Sequence, residues 1–84
     1  MFFVYELRFD DKAIEYLSKL EKETKERIFN KIILAKENPF HFFKKLENRK
    51  DYSLRVGNYR VIADIEGKVI NITLIGHRRN IYDR

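Results

Sequence analysis

Cysteine is absent from the 84 residues, which excludes disulfide frameworks, thiolate nucleophiles and cysteine-rich metal sites. The two histidines, His41 and His77, lie far apart and offer no metal-ligand spacing. With three glycines in the whole chain there is no glycine-rich phosphate loop. No apolar run approaches the ~20 residues that a membrane span needs. The opening Met1-Phe2-Phe3-Val4-Tyr5 is interrupted by Glu6 and Arg8 too soon for a signal peptide. These absences point to a cytoplasmic protein without metal, cofactor or membrane association.

What is present suits an ordered fold. Hydrophobic residues make up 44% of the chain, charged residues 37%, and seven Phe and five Tyr supply bulk for a core. The length predicts one domain over residues 1–84 with a thin core. The net charge of +5 is unevenly placed. Residues 1–43 carry eight basic and eight acidic side chains, whereas residues 44–84 carry ten basic and five acidic. A basic half on a small domain suggests a polyanion or an acidic protein partner. Solubility accounts for the charge equally well.

Residues 3–9 alternate, with Phe3, Tyr5, Leu7 and Phe9 on one side, and so predict a strand with one buried face. Asp10 or Asp11 is placed to cap a following helix. Ala13, Ile14, Leu17 and Leu20 recur at helical spacing, as do Ile28, Ile32 and Ala35. The polar stretch Glu21-Lys22-Glu23-Thr24 reads as the turn of a helical hairpin with Thr24 as second cap, or as the surface of one long helix. Asn38-Pro39 ends the helical region, because the residue before proline is pushed out of the helical conformation. Residues 40–51 read as an irregular basic connection, with His41 packed among Phe40, Phe42 and Phe43.

From Tyr52 onward the pattern has period two. Gly57-Asn58 is a hairpin signal, and Glu66-Gly67-Lys68 marks a second turn before Val69–Ile75. The expected architecture is α+β: an N-terminal strand, a helical hairpin and a three-stranded antiparallel meander in one sheet, with helices on one face.

A two-residue turn at Gly57-Asn58 sets Val56 opposite Tyr59 and Arg55 opposite Arg60. Alternation then puts Leu54, Val56, Tyr59, Val61, Ala63 and Ile65 on the apolar face and the two arginines on the other. Directly opposed like charges are mildly destabilising, and an anionic ligand between them would give a reason for the pair. Continuing the parity predicts Ile70, Ile72 and Leu74 on the core face, and Asn71, Thr73, Ile75 and His77 on the arginine face. Arg78, Arg79 and Tyr82 follow on the C-terminal tail.

This set holds the parts needed to cut RNA without metal. A base takes the proton of the ribose 2′-OH, an acid protonates the leaving 5′ oxygen, and cations hold the charge building on the phosphoryl oxygens. Histidine as a class changes charge near pH ~6.5 and suits proton transfer. Arginine presents a planar fork that matches phosphate oxygens. Tyr82 is placed to stack on a base or donate a proton. Against this, arginines on a solvated sheet face are usually solubilising, and a histidine beside them is more often a surface residue than a catalyst. The convergence of several such groups points to a phosphate-binding surface.

Two segments carry a resemblance. Tyr52-Ser53-Leu54-Arg55-Val56-Gly57-Asn58-Tyr59-Arg60-Val61 resembles the "LRVGxYRV" hairpin of the RelE/ParE toxin superfamily, and Gly76-His77-Arg78-Arg79-Asn80-Ile81-Tyr82 resembles its closing "GHRxxxY" segment. The resemblance implies a cytoplasmic toxin held inactive by a cognate antitoxin, and in RelE-type members an endoribonuclease acting on mRNA, typically on the ribosome. By the same resemblance Arg60 and Arg78 bind the scissile phosphate, Tyr82 orients the substrate, and His77 is the chosen general base, with water or Tyr82 as alternatives. Arg55 falls where some members carry a catalytic lysine. With Arg79, Lys44, Lys45, Arg49 and Lys50 it forms the expected RNA-binding set. Ser53 departs from the pattern, standing where the best-known ribonuclease members have a second basic residue. ParE-type chains share the hairpin, so inhibition of DNA gyrase is an alternative, as is a degenerate toxin that serves only as the antitoxin's partner.

Overall fold

The chain pairs its first strand with its last. In the computed structural model, which describes residues 4–81, β1 (Glu6–Phe9) lies parallel to β5 (Val69–His77), with Leu7 opposite Ile70 and Phe9 opposite Ile72. Between them in sequence come α1 (Asp11–Ser18), α2 (Lys22–Glu37), α3 (Pro39–Phe42), β2 (Lys44–Lys45), β3 (Tyr52–Val56) and β4 (Tyr59–Glu66). A short α4 (Arg78–Ile81) closes the described chain. The sheet order is β1-β5-β4-β3-β2, so β5 is sandwiched between β1 and β4. The α+β expectation holds.

The helices bury the apolar stripe read from their spacing. Ala13, Ile28, Ile32 and Ala35 are fully buried against Leu54, Val56, Val61, Ala63, Ile70, Ile72 and Ile75 of the sheet. Burying an isoleucine side chain is worth about 1.5–3 kcal/mol, so this cluster is the main stabilising contact between helices and sheet. Tyr52 and Tyr59 pack at its margin, and Phe43 lies within it. Ile14, expected inside, is half exposed at 51%, and Tyr16 and Leu17 take its place against the core.

Several local readings are corrected. The polar stretch is indeed a hairpin turn, but Glu21 occupies the N-cap of α2 and Thr24 lies within the helix. Asp10 occupies the N-cap of α1 without making a cap bond. Its Oδ1 instead accepts from Asn71 Nδ2 at 3.1 Å, tying the helix start to β5. Residues 40–51 are not wholly irregular: α3 starts on Pro39, and β2 adds a fifth strand antiparallel to β3. Among them His41 is exposed, edge-on to Phe42 at 4.9 Å.

Candidate functional site

The hairpin of β3 and β4 sets the site. Arg55 pairs with Arg60 and Val56 with Tyr59, as the alternation requires. The turn needs a positive φ at its first residue, and Gly57 supplies it at +59°, an arrangement in keeping with a type II′ hairpin. Leu54 and Val61 point into the core, leaving Ser53, Arg55 and Arg60 on the opposite face. Lys44 pairs with Ser53 across the outer edge and so shares that face.

Arg60 is half buried, and its Nη1 donates to Ser53 Oγ at 3.2 Å. Ser53 itself is 3% exposed. Arg55 is exposed, and its Nε donates to the Gly57 carbonyl at 3.4 Å, bending the side chain back over the turn. On the other side of Arg60 stands Gly76 of β5, with no side chain to obstruct the guanidinium.

The parity of β5 departs from expectation. The register slips between Ile62 and Ala63, leaving Thr73 as the extra residue of a bulge, its Oγ1 donating to the Ile62 carbonyl at 3.3 Å. Ile70 and Ile72 face the core as predicted, but beyond the bulge the faces exchange. Ile75, opposite Val61, is the buried residue, and Leu74, opposite Ile62, joins the arginine face. His77 therefore pairs with Tyr59 and lies on that residue's side, its ring edge-on to the Tyr59 ring at 5.6 Å.

His77 is also tied at one nitrogen. Its Nδ1 accepts from the Arg79 backbone N–H at 3.3 Å, which caps the start of α4. A neutral imidazole that accepts at Nδ1 carries its proton on Nε2, so the free nitrogen is a donor. A proton-transfer role of either kind requires the Nδ1 bond from Arg79 to be released.

The tail is pinned to the hairpin. The Arg78 backbone N–H donates to the Asn58 carbonyl at 2.7 Å, which sets Arg78 and Arg79, both exposed, beside the turn. Tyr82 lies outside the described residues. The structure thus gathers Arg55, Arg60, His77, Arg78 and Arg79 at one end of the sheet. Lys45, Arg49 and Lys50 form a separate exposed group: Lys45 Nζ donates to the Arg49 carbonyl at 2.8 Å, and Arg49 pairs with Asp51 at 2.8 Å. That pairing offsets much of the Arg49 charge. Arg27 of α2, missed because the first half of the chain is neutral overall, reaches the same turn: a Cβ on Gly57 would stand 2.9 Å from its Nη1. No local pattern marks it, since the contact depends on how α2 crosses the sheet.

No group of His, Asp or Glu among the described residues is arranged to hold a metal. No described helix is long and apolar enough to cross a membrane.

Comparison with known proteins follows the same geometry. The family model described as the ParE toxin of the type II toxin–antitoxin system parDE matches residues 7–82. Individual curated proteins give no match. Among solved structures, the RelBE2 toxin–antitoxin complex of Mycobacterium tuberculosis aligns with a TM-score of 0.80 and 25% identity, covering 88% of this chain and 98% of that one. The RelE–RelB complex of Pyrococcus horikoshii aligns at 0.76 and 26%, covering 92% and 98%. The RelBE complex of E. coli aligns at 0.72 and 28%, covering 87% and 95%. The chain belongs to the RelE/ParE superfamily and is a toxin of a type II toxin–antitoxin system.

Proposed function

We propose that the chain is an endoribonuclease that cleaves mRNA, on the ribosome, and is held in check by a cognate antitoxin. The observation that carries this reading is the bond from the Arg78 N–H to the Asn58 carbonyl, which joins the C-terminal motif to the arginine hairpin. Arg60, braced by Ser53, and Arg78, whose backbone is anchored beside the turn, are the two arginines we assign to a phosphate cradle. The ribose 2′ oxygen attacks phosphorus, the bond to the 5′ oxygen breaks, and a 2′,3′-cyclic phosphate results. His77 in its imidazolium form, with the Nδ1 bond from Arg79 released, protonates the leaving 5′ oxygen, and water or Tyr82 takes the 2′ proton. Arginine charge compensates the oxyanion. The toxin–antitoxin complexes among the similar structures support the antitoxin as partner.

Expression without the antitoxin should stop translation, with discrete transcript ends visible by primer extension. Arg78→Ala should relieve growth arrest in a chain that stays folded. Toxicity persisting in that folded variant would overturn the assignment.

The match of the ParE model over residues 7–82 favours a second reading, a gyrase inhibitor without nuclease activity. It predicts DNA-damage signalling with intact transcripts in the same experiment. Neither effect on expression would identify a degenerate toxin.

A further inference from the structure

A groove of about 420 Å³ runs between α2 and the β3–β4 turn, next to the arginine pair but outside the cradle described above. Its rim carries three cations from two elements: Arg27 and Lys31 from α2, and Arg55 from β3. Among the described residues no ion pair engages any of the three. Lys31 Nζ sits 5.3 Å from the centre of the Phe42 ring, a cation–π contact that directs its side chain without neutralising it. Asn30 adds an amide, and half-exposed Leu34 and buried Val56 add apolar lining.

Gly57 makes the groove possible. Any side chain there would meet the Arg27 guanidinium at 2.9 Å, so the bare backbone lets an α2 cation lie against the hairpin turn. Cations beside an apolar lining match a nucleotide, whose phosphate meets the charges and whose sugar or base face meets the apolar side chains. Arg55 lines this groove and also stands opposite Arg60 in the hairpin register, so one cation is common to the two places. That shared cation favours RNA over an acidic peptide.

We infer that this groove is a second RNA subsite, in which Arg27 and Lys31 bind the backbone phosphate of a nucleotide flanking the cleaved bond; the inference rests on the endoribonuclease reading. The probe is a fully 2′-O-methylated single-stranded RNA, which has no 2′-OH to attack. Its binding to the intact chain is followed by fluorescence anisotropy over a range of salt concentrations. Each neutralised single-strand phosphate contributes about 0.7 to the slope of log K against log salt, so an Arg27→Gln/Lys31→Gln variant, which loses one phosphate, should lose roughly 0.7 of it. Circular dichroism should show that variant folded.

An unchanged slope in the folded variant overturns the subsite, as does a wild-type chain that fails to bind the RNA. Unchanged RNA binding with weakened binding of a poly-glutamate peptide would assign the groove to an acidic protein segment and also overturn it. A wild-type chain that shows the expected slope but leaves mRNA on programmed ribosomes uncut sinks the nuclease reading alone.

Discussion

Arg60 Nη1 reaches diagonally across the hairpin to Ser53 Oγ at 3.2 Å, joining a half-buried cation to a serine that is almost wholly enclosed. Ser53, which departs from the resembled pattern, is a neutral acceptor that orients Arg60. Adding a lysine there would bury a charge beside a guanidinium, whereas serine braces it at no electrostatic cost.

Ser53→Ala should therefore destabilise the chain by about 1 kcal/mol, the net worth of one hydrogen bond. Urea denaturation would register the loss. Cleavage should fall in Ser53→Ala by less than in Arg60→Ala, because the guanidinium is loosened but still present. Equal losses in the two variants would mean that Ser53 does more than brace.

The turn offers a separate test. Gly57→Ala forces a side chain into the left-handed region and against Arg27, and should cost about 1–2 kcal/mol from the backbone conformation alone. In an Arg27→Ala background the steric part should vanish and the backbone part persist. A double-mutant cycle by thermal denaturation separates them. A zero coupling energy would show that Arg27 moves aside freely.

His77 has a positioning role visible in the structure and a proton-transfer role that is proposed, and one substitution distinguishes them. Asparagine can still accept from the Arg79 N–H, whereas alanine cannot. His77→Asn should keep α4 docked, as judged by amide exchange at Arg79, and still lose cleavage. Wild-type cleavage by His77→Asn would reduce His77 to a cap.

The core makes the sharpest stability prediction. Ile72, fully buried on β5 between β1 and β4, should cost about 2–5 kcal/mol on truncation to alanine. Marginal stability of a small domain makes such a loss visible as a large shift in the urea midpoint. A shift no larger than that of an exposed control such as Ile14→Ala would show that the helix–sheet contact is not the main support.

Much was legible in the sequence because it depends on neighbours a few residues apart. Period-two alternation around Gly57-Asn58 dictates the hairpin register, and so places Arg55 opposite Arg60. Helical spacing marks Ile28, Ile32 and Ala35 as the buried stripe, and Asn38-Pro39 ends α2. Only the tertiary structure decided the rest. A bulge at Thr73 exchanges the faces of β5 and moves His77 to the Tyr59 side, and nothing within that strand's own alternation announces the extra residue. Asp10 bonds to Asn71 rather than capping its helix, a choice made between groups 61 positions apart. Arg27 joins the basic end of the sheet because α2 crosses beside a bare glycine turn. Local periodicity assigns residues to faces, but which faces meet depends on packing between distant segments.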